Sequence, residues 1–208
     1  MVNKTLRCVP LSEPAYSRMQ VDDRRRQLLD LGAELFARHA YDELSMAAIA
    51  REAGISKSLL YHYFPSKSDF FQATVAVAAE DVAQRTTPDP ELPPLEALTA
   101  SLDAFLTWIE ENETAYRKLM LGATGAAEVR DLVAGVREQT AQRLLKGLSD
   151  GQPPPAVRTA VHGWLGYMDA ACLDWLEHRD MNREELRNLL LGSLLGALTA
   201  AGFTPQLS

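Results

Sequence analysis

Cysteine is scarce. Cys8 and Cys172 are the two in 208 residues, too few for a disulfide framework or a four-cysteine zinc site, so a reducing compartment is the default expectation. The four histidines, His39, His62, His162 and His178, include no i, i+4 pair, and no cysteine clusters with them. His162 and Asp169 stand seven apart on one helical face, but two ligands do not make a metal site. A Gly-rich phosphate loop is missing, because GATGAAEVR from Gly122 lacks the required Lys-Ser/Thr. No metal, cofactor or catalytic constellation is therefore expected. Glycine (12) and proline (11) are at ordinary levels, which excludes collagen-like and low-complexity chains. Long hydrophobic runs are absent too. Residues 189–208 carry no charge, yet the apolar part, LLLGSLLGALTAAGF, is 15 residues where a spanning helix needs about 20. Residues 1–20 lack the apolar core of a signal peptide and read as a flexible arm. A soluble, cytoplasmic protein is expected. Basic charge is also short, with 21 Lys+Arg against 28 Asp+Glu and a net charge of −7. As a whole-chain figure, that argues against a nucleic-acid partner.

What is present is helix-forming pattern. The chain is 47% hydrophobic and 24% charged, ample for a buried core. Over 22–39, Leu28, Leu31, Leu35 and His39 follow the i, i+3, i+4, i+7 rule, with Asp22 and Asp23 suited to the helix start. After a break at 40–44, Ser45 caps a short helix that Gly54 ends, and Ser56 caps a second that Pro65 stops. Ser66 opens a long helix over 67–85. The stretch TTPDPELPP, with four prolines in nine residues, is the clearest boundary. Further helices are predicted over 95–111, 113–121, 126–148, 156–178 and 183–201. Neither strand-like alternation nor an internal repeat occurs. The fold class is all-α, with a flexible arm (1–20), a first helical domain (21–85) and a larger one (86–208).

Residues 45–64 are short helix, glycine-containing turn, short helix, the spacing of a helix-turn-helix whose second helix enters the major groove. Lys57 and Ser58 begin that second helix, where side chains and backbone N–H groups meet phosphates or base edges. Leu59 is apolar where a helix should be solvated, and a thymine methyl is a fitting contact. Tyr61, His62 and Tyr63 put three hydrogen-bonding rings in one turn, and Lys67 follows as a phosphate neutraliser. Leu60 and Phe64, four apart, are core. Arg24, Arg25 and Arg26 are a charged face within reach of the backbone.

The run AGISKSLLYHYFPSK, within LLDLGAELFARHAYDELSMAAIAREAGISKSLLYHYFPSKSDFF, resembles the N-terminal domain of the TetR family of transcriptional regulators over about 22–85. The resemblance implies a homodimeric repressor of a palindromic double-stranded operator, released by a small molecule bound in the second domain. Carried onto this chain, the family's DNA contacts fall on Ser45, Lys57, Ser58, Leu59, Tyr61, Tyr63 and Lys67, with His62 nearby. Two positions depart from the family pattern: Ala40 stands where glycine is frequent, and Leu59 where the residue is more often small or polar.

The last two helices are apolar on nearly every side, so each must be buried on nearly every side. Gly192, Gly196 and Ala200 recur every four residues, and Gly163 and Gly166 sit in the preceding helix. A four-helix dimer interface of 156–178 and 183–201 is predicted; ordinary core helices of a monomer are the bland alternative. Candidate ligand-lining residues are Trp108, Tyr116, Met120, Trp164, Tyr167, Met168, Cys172 and Trp175, with Asp169 as an anchor for a cationic or hydroxylated group. A mainly hydrophobic or aromatic effector is expected. The other reading is a helical small-molecule or partner-binding protein without DNA affinity, which leaves the Lys57–Lys67 pattern unexplained. Split by position, the charge is +1 over 1–70 and −8 over 71–208, so the acid belongs to the second part.

Overall fold

The computed structural model describes residues 15–122, 127–148 and 151–203. Among them there are nine α-helices and no strand: α1 (Ala15–Arg38), α2 (Met46–Glu52), α3 (Lys57–Tyr63), α4 (Lys67–Arg85), α5 (Pro94–Glu111), α6 (Glu113–Gly122), α7 (Ala127–Leu148), α8 (Pro155–His178) and α9 (Arg183–Ala200). A single 3-10 turn, Tyr41–Glu43, lies between α1 and α2. The all-α expectation holds, and most boundaries fall within a residue of those predicted. The exception is α1, which starts at Ala15 rather than at Asp22, inside the stretch expected to be an arm. The two aspartates thus sit mid-helix, Asp23 4.0 Å from Arg26 one turn on. The rest of the predicted arm lies outside the described residues. Ala40, with φ −68° and ψ 155°, is in extended backbone that any residue adopts, so no glycine is needed there.

Leu28, Leu35, Ile49, Leu60, Phe64 and Phe70 form a compact core among α1–α4. A larger core runs through α5–α9, around Leu106, Ile109, Val161, Leu165, Cys172 and Leu190. Each fully buried Leu or Phe contributes about 1.5–3 kcal/mol. A small third cluster links them. Phe71 of α4 packs with Val129 and Val133 of α7, and Phe36, Tyr41 and Met120 close around it. The Phe36 and Phe71 rings meet edge to face at 4.6 Å between centroids. No helix among the described residues is long and apolar enough to cross a membrane.

Candidate nucleic-acid interface and internal cavity

Three serines set the small domain. Ser45 Oγ accepts from Ala48 N at 3.2 Å, Ser56 Oγ from Leu59 N at 3.1 Å, and Ser66 Oγ from Asp69 N at 3.1 Å. Each meets an N–H that a helix start leaves unpaired, worth about 1 kcal/mol. Between α2 and α3, Gly54 takes φ +63°, the left-handed region that favours glycine. Its N–H donates to Arg51 O, and Ile55 N–H donates to Ala50 O, the paired bonds of a Schellman end. The turn is thereby sharp enough to lay α3 across α2.

Leu60 and Phe64 point α3 inward, fully buried as predicted. The opposite face carries Lys57, Ser58, Leu59, Tyr61 and His62, all exposed. Leu59 and Tyr61, at 39% and 41%, are among the exposed large apolar side chains of the molecule. Lys57 Nζ lies 5.6 Å from the Tyr61 ring centroid, and the Ser58 and Ser56 hydroxyls are 3.0 Å apart. Ser45 is exposed at the start of α2, its hydroxyl already committed to its cap. Tyr63 is half-buried against the small core. Lys67 is held by the protein: its Nζ donates to Tyr41 O at 3.0 Å and stands 4.1 Å over the Tyr41 ring. Arg25 lies over the Phe64 ring at 5.2 Å, which keeps it next to α3, while Arg24 is simply exposed. Such a face, with donors at one helix start and rings along one turn, has the chemistry to contact phosphates and base edges.

The larger domain encloses a cavity of about 1,190 Å³, bounded by α4–α9. Of the nine predicted lining residues, six do line it: Trp108, Tyr116, Met120, Trp164, Met168 and Asp169. The other three are off its walls. Tyr167 is 39% exposed on the outer side of α8. Cys172 is fully buried in the large core, and Trp175 is spent on Met181 O at 2.9 Å near the α8–α9 turn. The aromatic pattern of α8 wraps around the helix, so composition alone could not separate its faces.

Asp169 does not stand open as an anchor. Arg137 Nε donates to its Oδ2 at 2.5 Å and Tyr116 OH donates to its Oδ1 at 3.3 Å. Burial pushes its carboxyl above the usual range, and the guanidinium and phenol offset part of that rise. Burial also raises the Tyr116 phenol, and pushes the Cys172 thiol up to about 12, so neither ionises in neutral solution. Arg137, Arg143 and Lys146 of α7 line the cavity and were missed by sequence reasoning. Arg143 and Lys146, three apart, share one side of the helix, a signal that could have been found, whereas Arg137 is nine residues from Lys146 and half a turn round from it. Among the described residues, no group of three or more His, Cys, Asp or Glu could hold a metal ion.

On the outside, Gly163, Gly166, Tyr167 and Ala170 of α8 are exposed, as are Leu189, Gly192, Gly196 and Ala200 of α9. On each helix their spacing puts them on one side, and both sets are apolar and mostly small.

The chain matches two family models: "Bacterial regulatory proteins, tetR family" over residues 28–74, and "Tetracyclin repressor-like, C-terminal domain" over 94–196. A TetR-family transcriptional regulator from Streptomyces coelicolor, solved by crystallography, is 30% identical with a TM-score of 0.72, covering 87% of this chain and 82% of that one. The transcriptional repressor KstR of Rhodococcus jostii is 26% identical over 201 residues, 91% of this chain and 93% of that protein. The transcriptional activator FasR of Mycolicibacterium smegmatis is 34% identical over 107 residues, 49% of this chain and 47% of that protein. With the capped helix-turn-helix, the helical second domain and these likenesses agreeing, the chain belongs to the TetR family of DNA-binding transcriptional regulators.

Proposed function

We propose that the protein is a homodimeric repressor of a palindromic operator, acting in the cytoplasm and released when a small, mainly hydrophobic or aromatic effector fills the cavity. The observation that carries the reading is the outward face of α3. Lys57, Ser58, Leu59, Tyr61 and His62 are solvent-facing although two of them are large and apolar, as in a surface made to be covered. Ser45 at the start of α2 and Tyr63 at the end of α3 join it as contacts, and Lys67, fastened to Tyr41, presents a charge fixed in position. The sense of repression follows KstR, the relative matched over nearly the whole chain.

Two recognition helices must sit about 34 Å apart, or a multiple of it, to read successive major-groove faces. The apolar outer sides of α8 and α9 support a partner subunit that sets this distance. Effector occupancy has a physical route to it, because Met120 lines the cavity and also packs on the Phe71 cluster next to α1 and α4. A ligand that favours a spacing unfit for the operator must bind less tightly when operator is bound, by linkage.

The test is a gel shift of a palindromic fragment from the region upstream of the protein's own reading frame, as a function of salt. Lys57→Ala should weaken binding and flatten the log–log salt slope by about one charge per subunit. Equal slopes and affinities for both proteins would remove α3 from the interface. The cavity also suits a carrier without DNA affinity, and for that reading no fragment shifts even at low salt.

A further inference from the structure

The second part of the chain carries a net charge of −8, yet its cavity is lined by the opposite sign. Arg137, Arg143 and Lys146 line it from α7, and among the described residues the single carboxylate in its walls is Asp169. Two positive charges are left in excess. Arg137 is committed to Asp169 through its Nε. Arg143 has only a 3.2 Å bond to Thr140 Oγ1, and among the described residues no carboxylate pairs with Arg143 or Lys146. Elsewhere in the same domain Arg117, Arg179, Arg183 and Arg187 all have acid partners. Arg143 and Lys146 are both exposed, so they stand at the rim rather than in the depth. Inside, the walls are Val, Leu, Phe, Met and Trp side chains.

We infer that the cavity is built for an amphiphile whose chain or ring system lies among the apolar walls and whose anionic head, a carboxylate or a phosphate, sits at the rim against Arg143 and Lys146. The inference rests on the cavity's being the effector site. A cationic head would meet two like charges, and Asp169 is already paired with Arg137. A neutral head would leave strong donors unmatched. Guanidinium and ammonium groups at a partly dry rim make charge-assisted bonds to oxyanions, roughly twice as strong as neutral ones. The apolar interior supplies most of the affinity, and the rim supplies the choice of head group.

Four probes with unbranched ten-carbon chains test this on the full-length protein, each below its micelle-forming concentration or solubility limit: decanoate, decyl phosphate, 1-decanol and decyltrimethylammonium. Binding is followed by calorimetry and by tryptophan fluorescence, since Trp108 and Trp164 line the cavity. One or both anions should bind about ten-fold or more tighter than 1-decanol, and the cation most weakly. Whichever anion binds tighter identifies the head as carboxylate or phosphate. The double variant Arg143→Gln, Lys146→Gln should lose the preference while keeping its circular dichroism and its affinity for 1-decanol. The inference is overturned if 1-decanol binds as tightly as the anions, if the cation binds tightest, if the variant keeps the preference, or if no probe binds. Operator shifts on the same samples keep the two readings apart. Anions that bind but leave the shift intact contradict effector release, whereas a normal shift without anion preference contradicts only the inference.

Discussion

Asp169 shows how one carboxylate can be both satisfied and costly. It is bonded by Arg137 and Tyr116, but burial still lifts its proton affinity above that of the unfolded chain. Folded protein therefore holds this proton to higher pH than unfolded protein does. The stability that the residue contributes is greatest in acid and is lost as pH rises through the folded value. Asparagine imitates the protonated form and does not titrate. In urea unfolding between pH 4 and 8, wild type should be most stable relative to Asp169→Asn at the acid end, lose ground as pH rises, then level off. A difference that grows with pH would mean that the pair with Arg137 outweighs burial. Residue-scale facts of this kind were half legible. The serine caps could be read from position because a cap and its N–H partner lie three residues apart. Lys67 and Tyr41 lie 26 apart, and Arg137 and Asp169 lie 32 apart, so their bonds exist only once the helices have packed.

At the scale of helices, the meeting of α1 and α4 turns on the missing side chain of Gly32. A Cβ there would come within 2.5 Å of Thr74 Oγ1 and 2.8 Å of Phe70 Cζ. Thr74 is buried with its hydroxyl donated to Phe70 O at 2.9 Å, and the Phe70 ring is fully enclosed, so neither can step aside. Alanine is the better helix former by about 1 kcal/mol, but overpacking costs about 1–3. Gly32→Ala should accordingly lose about 1–2 kcal/mol in denaturant titration, where propensity alone predicts a gain. Helix ends were legible wherever a cap, a glycine or a proline marked them. The start of α1 was not, because acidic residues are welcome at a helix start without being confined to it. The inner face of α3 was legible from Leu60 and Phe64, whereas the faces of α8 were not, since aromatic and small residues surround it.

For the molecule as a whole, the proposed dimer makes a prediction that separates folding from association. A Cβ on Gly196 meets nothing within 4 Å in its own protomer. Gly196→Glu should keep the helical content and thermal transition of an isolated protomer, yet put a charge into the outer face of α9. Sedimentation at micromolar concentration should then show a monomer where wild type is a dimer, with operator binding lost alongside. A dimeric variant would place the interface elsewhere. The global charge offered no guide to any of this, being an average over a nearly neutral DNA-binding part and an acidic remainder.

The cluster of Phe36, Tyr41 and Phe71 against Val129, Val133 and Met120 is small beside the two cores it joins. Substitutions within either core can be absorbed locally, each half keeping its own fit. The joint cannot drift in that way, since its two sides come from α1, the 3-10 turn and α4 on one hand and α6 and α7 on the other. A reading head transplanted from a relative therefore brings only one half of this contact. Chimaeras in which both halves travel together should keep their inducer response, and those that separate the aromatic side from Met120, Val129 and Val133 should bind operator yet no longer answer to ligand.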